Sequence, residues 1–111
     1  MIYYYYKELE EVLLLYTIDE LKTIITPIAI RHGVNSVSLF GSYSKGVANE
    51  NSDVDLKIDK GAIRTLFQLA GFRLDLEDAL KLPVDVVTNT SSDKAFLNMI
   101  SKDEVLLYRN A

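Results

Sequence analysis

Apolar positions recur at helical spacing near the start of the chain. Tyr5, Leu9, Val12, Leu13 and Tyr16 fall on one face of a helix over residues 3–16. Thr17 then reads as an N-cap with Glu20 three residues on, a capping box that opens a second helix from Ile18 to about Arg31. Pro27 inside it predicts a bend or local break, and Gly33 after His32 predicts its C-terminal stop. Ser36 to Phe40 reads as a strand ended by Gly41 and Ser42, and Tyr43 to Ala48 as a short helix. A turn-rich Asn49-Glu50-Asn51-Ser52 leads into a second strand, Val54 to Ile58. From Ala62 to Lys81 the spacing is helical again, with Ile63, Leu66, Phe67, Ala70 and Leu74 on one face and Gly71 as a weak point. Pro83 opens a third strand, Val84 to Thr88, and the last twenty residues read as one or two short helices packed through Phe96, Met99, Ile100, Val105 and Leu106.

Helices and strands alternate, which predicts an α/β fold with a small sheet flanked by helices. At 111 residues the chain fits one domain. Residues 1–16 are expected as a helical extension ahead of a unit spanning 17–111. No apolar run reaches the roughly 18 residues of a membrane span, and the opening MIYYYYKELEE lacks the basic and apolar regions of a signal peptide. With no cysteine, thiolate chemistry and a disulfide framework are excluded, and a cytoplasmic setting is the expectation. The net charge of −4 argues against direct nucleic-acid binding, which needs clustered Lys and Arg. It leaves room for carboxylates that hold a cation.

Such carboxylates exist. Asp53 and Asp55 flank Val54 at the start of a strand, so both face the same way, about 7 Å apart at their Cα atoms. A divalent cation relieves their repulsion, and Mg²⁺ suits one or two carboxylates plus phosphates and waters. Asp85 interrupts the apolar strand Val84 to Thr88 and needs a partner or a wet cleft. If its strand lies beside that of Asp55, three carboxylates could hold two Mg²⁺ roughly 3.5–4 Å apart, the arrangement that clamps the attacking and leaving oxygens of a phosphoryl transfer. A bare D-x-D is also common as edge or turn residues. Gly41 permits a sharp turn and close approach of a ligand, Ser42 offers a hydroxyl near a helix start, and Lys45 lies one turn on. Gly41-Ser42 is equally readable as a helix start alone.

Gly41-Ser42, ten residues, then Asp53-Val54-Asp55 resembles the signature of the DNA polymerase beta-like nucleotidyltransferase superfamily. LFGSYSKG, NSDVDL and VDVV match in order and spacing, from Ile18 to Tyr108, and the fit is to the minimal nucleotidyltransferase (MNT) family, antitoxins paired with HEPN-domain toxins. The resemblance implies a mixed sheet and a nucleotidyltransferase that moves AMP from ATP, with two Mg²⁺, to a protein hydroxyl, a tyrosine of a cognate HEPN toxin. It implies that Gly41 and Ser42, with Lys45, hold the triphosphate, and that Asp53, Asp55 and Asp85 bind metal and carry catalysis. The family often has Arg where Tyr43 and Lys45 stand; Tyr43 offers no charge and Lys45 no bidentate fork. No second domain is expected to grip an acceptor, so acceptor choice falls to a partner or to a homo-oligomer.

Two other functions stay open: a non-catalytic antitoxin that neutralises its partner by contact, and nucleotidyl transfer to a small molecule. Tyr3 to Tyr6 read as partly packed, partly exposed helix residues, or else as a docking patch or self-modification sites. His32 reads as a helix-end residue, and Asp75, Glu77 and Asp78 as a solvated helix face. Asp59, in phase with Asp53 and Asp55, is a minor metal candidate.

Overall fold

The structure, a computed structural model, describes residues 3–7 and 11–110, with side chains from Leu15 onward. Its first elements correct the sequence reading. The helix expected over 3–16 is instead two antiparallel strands, β1 (Tyr3–Lys7) and β2 (Glu11–Leu15), with Tyr3 opposite Leu15 and Lys7 opposite Glu11. Tyrosine, valine and leucine runs favour a pleated surface, and this preference outweighs the helical spacing. The side chains of Tyr3 to Tyr6 lie outside the described residues. Tyr16 follows directly; it is buried, and its hydroxyl donates to the Leu80 carbonyl.

α1 (Ile18–His32) starts at the expected capping box: Glu20 N–H donates to Thr17 Oγ1 and Thr17 N–H to the Glu20 carboxylate. It runs unbroken through Pro27 and stops at Gly33 in the left-handed conformation. β3 (Ser36–Phe40), the one-turn α2 (Ser42–Lys45) and β4 (Val54–Asp59) follow. α3 (Leu66–Leu80) starts later than its apolar spacing suggests, because Thr65 and Gln68 form a second capping box. Gly71 does not interrupt it.

After β5 (Val84–Thr88) come α4 (Lys94–Ile100), a 3₁₀ turn (Ser101–Asp103) and β6 (Val105–Arg109). The sequence reading missed β6, whose five residues it placed in helix. A short apolar run takes its state from its neighbours, and here β3 pairs with it antiparallel, with an irregularity between Val37 and Ser38.

The main sheet is mixed, in the order β5-β4-β3-β6. β4 and β5 run parallel across the α3 crossover, and the other pairs are antiparallel. Period-two alternation divides it cleanly. Val37, Leu39, Val54, Leu56 and Ile58 point into a core with Leu21, Ile25 and Ala29 of α1 and Phe72, Leu76 and Leu80 of α3. Ser36, Ser38 and Phe40, with Asp55, Lys57 and Asp59, take the opposite face. α4 packs against that second face at one end, where the Phe96 and Phe40 rings meet edge to face at 6.0 Å.

The face of α3 that packs is not the expected one. Phe72, Leu76 and Leu80 are buried, while Leu66, Phe67 and Leu74 are exposed. Met99 and Leu106, expected to pack, are also exposed; Ile100 is buried as expected, and Leu107 is buried where Leu106 was expected to be.

Candidate active site

Two turns bring the acidic strand beside the glycine turn. Gly41 leaves β3 at φ 77°, ψ −154°, a backbone region open essentially to glycine alone. Its carbonyl accepts from Ser44 Oγ at 2.8 Å and from Lys45 N–H at 3.2 Å, which holds α2 against the strand end. The chain then closes on itself at Asn49: Asn51 N–H donates to its side chain, its own N–H donates to Ser52 Oγ, and Ser52 N–H donates to its carbonyl. This compact turn explains the spacing between Gly41-Ser42 and the D-x-D, since it returns the chain antiparallel to β3 with Phe40 opposite Asp55.

Asp53 is exposed just before β4, and Asp55 is half-buried as its second residue. Asp85 is exposed on β5 and is the parallel register partner of Asp55. On its other flank Asp55 meets Gly41 so closely that a β-carbon added there would fall 2.2 Å from Asp55 Oδ2. Burial, then the charge of Asp85, then that of Asp53 push the Asp55 carboxyl up to about 6 from its ordinary 3.8. The structure therefore brings Asp53, Asp55, Asp85 and Gly41 together, with Ser42 next in the chain.

The donor set fits Mg²⁺. All three side chains offer hard carboxylate oxygens, and they repel one another in a way a divalent cation would offset. Among the described residues no three His, Cys, Asp or Glu side chains are drawn together tightly enough to hold a metal ion by themselves.

Lys45 stands apart from the aspartates. It is exposed, and its Nζ lies 3.9 Å from Asp103 Oδ2 at the mouth of an apolar cleft. Tyr43 is buried in the main core, so this position turns inward and does not face phosphates. Asp59, at the far end of β4, lines a separate polar trough with Ser36, Ser38 and Lys57. His32 ends α1 as expected, with its Nε2 2.6 Å from Asp75 Oδ2 and its ring against Phe72.

Of the acidic residues of α3, Asp78 is exposed as expected, whereas Asp75 and Glu77 have fixed partners. Asp75 binds His32 and Arg31, and Glu77 accepts the Val84 N–H at 3.0 Å. Glu77 thus ties down the start of the strand that carries Asp85. The sequence reading missed this support because the contact crosses a turn that no local pattern marks.

Residues 22–111 match the polymerase beta, nucleotidyltransferase family. The chain belongs to that family and is a nucleotidyltransferase. It is 36% identical to a Methanocaldococcus jannaschii protein provisionally named a protein adenylyltransferase, over 80% of this chain and 90% of that one. It is 32% identical to the protein adenylyltransferase MntA of Thermococcus cleftensis, over 80% of this chain and 94% of the relative. In fold it is similar to a chain of a toxin–antitoxin complex with AMP-PNP, at a TM-score of 0.70 and 23% identity, over 80% of this chain and 73% of that one.

Proposed function

We propose that this protein is the antitoxin of a HEPN/MNT pair and transfers AMP from ATP to a hydroxyl, a tyrosine, of its cognate HEPN toxin. The observation that carries the reading is the meeting of Asp53, Asp55 and Asp85 beside Gly41. The names of the two relatives and the toxin–antitoxin assembly of the structural neighbour support the acceptor class.

In the proposed reaction the acceptor oxygen forms a bond to the α-phosphorus of ATP. The bond from that phosphorus to the bridging oxygen breaks, and pyrophosphate leaves. Asp85 lies toward the sheet edge and takes the hydroxyl proton. Asp53, Asp55 and Asp85 would hold two Mg²⁺, which would supply Lewis-acid charge to the phosphoryl group when bound. Gly41 and Ser42 hold the triphosphate, the Ser42 hydroxyl donating to a phosphate oxygen, and Lys45 adds a cation on the far side of the turn. Catalysis of this kind rests on positioning and electrostatics. The catalytic unit is assigned to 17–111, with 1–16 as an extension, and the reading carries a cytoplasmic setting. Among the described residues no helix is long and apolar enough to cross a membrane.

The test is intact-mass spectrometry of the protein encoded beside this one, after incubation with this protein, Mg²⁺ and ATP. The expected result is a gain of whole AMP units, absent with Asp53→Asn/Asp55→Asn. A stable complex without mass gain would replace the reading with neutralisation by contact, and transfer that survives the double substitution would remove the aspartates from the chemistry.

A further inference from the structure

Helix α3 turns a second apolar stripe to solvent, opposite the one that fills the core. We infer that this stripe is a docking surface for a second copy of the same chain, with the two α3 helices crossing antiparallel about a two-fold axis near Gly71. This assembly is independent of the proposed transfer.

The stripe is continuous. Phe67, Gly71, Leu74 and Asp78 recur at steps of four, three and four residues, so they line up along one side of the helix. Phe72, Leu76 and Leu80 lie on the opposite side and are fully buried, so this line faces directly outward. Phe67 is 90% exposed and Leu74 56%, with Leu66 at 84% on the flank. Single apolar residues scattered over a surface are ordinary, but a contiguous row of large ones marks an interaction site.

Gly71 sits in the middle of the row without a reason inside its own chain. A β-carbon added there would meet nothing within 4 Å, and its backbone is not in the left-handed region. Glycine in mid-helix is unfavourable relative to alanine. A close helix crossing accounts for it. With Ala70 beside it, Gly71 lets two backbones approach, while Phe67 of each copy packs on Leu74 of the other. One surface thus meets itself, as a two-fold interface requires.

Charge order names the occupant. α3 carries no acid in its first turn and no base in its last. Asp75, Glu77 and Asp78 lie in its second half, and Arg64 stands just ahead of its cap, Thr65. That order opposes the dipole of the helix, whereas α1 follows the favourable one, with Asp19 and Glu20 first and Arg31 and His32 last. An antiparallel copy turns the order to advantage, because Arg64 of each chain comes to Asp78 of the other. Within its own chain Asp78 meets Lys81 at 3.5 Å with both side chains exposed, a pair weak enough to be exchanged. Val54 and Leu56 point to the core side on which α3 lies, so Asp55 between them and Asp85 beside it face away, and both acidic clefts of the dimer stay open.

Sedimentation velocity of the full chain across a concentration series tests the assembly. A pair of 15-residue helices is small beside the roughly 1,200–2,000 Å² of a standard interface. Dimers are therefore expected at roughly 10–100 µM, and dilute protein is expected to be monomeric with this face wet. Phe67→Ser and Leu74→Ser are each expected to weaken the dimer about tenfold or more. Arg64→Glu and Asp78→Arg are each expected to weaken it about three- to tenfold, and the two in one chain to restore it, which a general loss of structure would not do. Gly71→Ala is expected to raise the Tm of dilute protein and still weaken the dimer. Wild type that stays monomeric throughout, a dimer indifferent to Phe67→Ser, or a charge-swapped chain that does not recover would overturn the inference. So would a monomeric chain that needs Phe67 to bind the protein encoded beside it, which would give the face to that partner. A dimer that depends on Phe67 in a chain without AMP transfer keeps this inference and removes the proposed function.

Discussion

Gly41 and Asp55 touch: the glycine's missing side chain is the space that the Asp55 carboxylate occupies. A β-carbon at Gly41 would lie 2.2 Å from Asp55 Oδ2 and 3.1 Å from its Cγ. Gly41→Ala therefore acts twice. It strains a backbone at φ 77°, ψ −154° by about 1–3 kcal/mol, and it turns the carboxylate out of the cluster. The expected outcome is a folded protein with a lowered Tm and AMP transfer down by about 100-fold or more, the scale set by a misplacement near 1 Å. A Gly41→Ala protein of normal activity would show that Asp55 is not held to a single position.

The Asp55 carboxyl titrates near 6 in the folded chain, against an ordinary 3.8, through burial first and then Asp85 and Asp53. The folded state binds this proton more tightly than the unfolded chain does. Its contribution to stability is complete below 3.8 and is lost as the pH rises to about 6, above which the ionised group opposes folding. Two results follow for the metal-free protein in thermal melts. Wild type should lose Tm across that window, and Asp55→Asn should flatten the loss and melt higher near neutral pH. Mg²⁺ should restore the wild-type Tm above about pH 6 and leave the variant unmoved. A variant that melts lower than wild type at neutral pH would contradict the repulsion.

Glu77 holds the first residue of β5 through the Val84 N–H, and Val84 precedes Asp85. Val84 is fully buried and Glu77 is also bridged to Arg73 at 3.2 Å. Glu77→Ala should cost about 1.5–3 kcal/mol, the range for a hydrogen bond to a charged acceptor. Glu77→Gln keeps an acceptor oxygen and should recover most of that. If Glu77 positions Asp85, kcat for AMP transfer should fall in the alanine variant with little change in KM for ATP, and the glutamine variant should rescue it. A stability loss with unchanged kcat would confine Glu77 to holding the sheet edge.

The meeting of Asp53, Asp55, Asp85 and Gly41 was legible because its signals are local. A glycine at a strand end, a D-x-D in period two and a lone aspartate in an apolar strand each state their geometry within a few residues, and only the adjacency of β4 and β5 had to be supplied. The errors fall where the deciding contact is distant. Val105 to Arg109 is a strand because β3 offers it an edge. Glu77 looks like a surface carboxylate until Val84 returns to meet it. In residues 3–7 and 11–15 helical spacing and strand-forming composition point opposite ways, and composition prevails.

Helix α3 is the sharpest case, because it is apolar on more than one side. Leu66, Phe67, Ala70 and Leu74 form one stripe and Phe72, Leu76 and Leu80 another, so spacing alone allows two orientations. The structure selects the second: Phe72 is fully buried against α1 and the sheet, while Phe67 is 90% exposed. Substitution separates the two orientations without ambiguity. Phe72→Ala should cost about 3–5 kcal/mol, the range for emptying an aromatic site in a packed core. Phe67→Ser should change stability by no more than about 0.5 kcal/mol, as for a surface position. Urea denaturation of both variants checks this, with the m-value showing whether the unfolding remains two-state. The opposite ranking would mean that α3 is turned to bury Phe67, which would also move Glu77 away from Val84 and release the strand that carries Asp85.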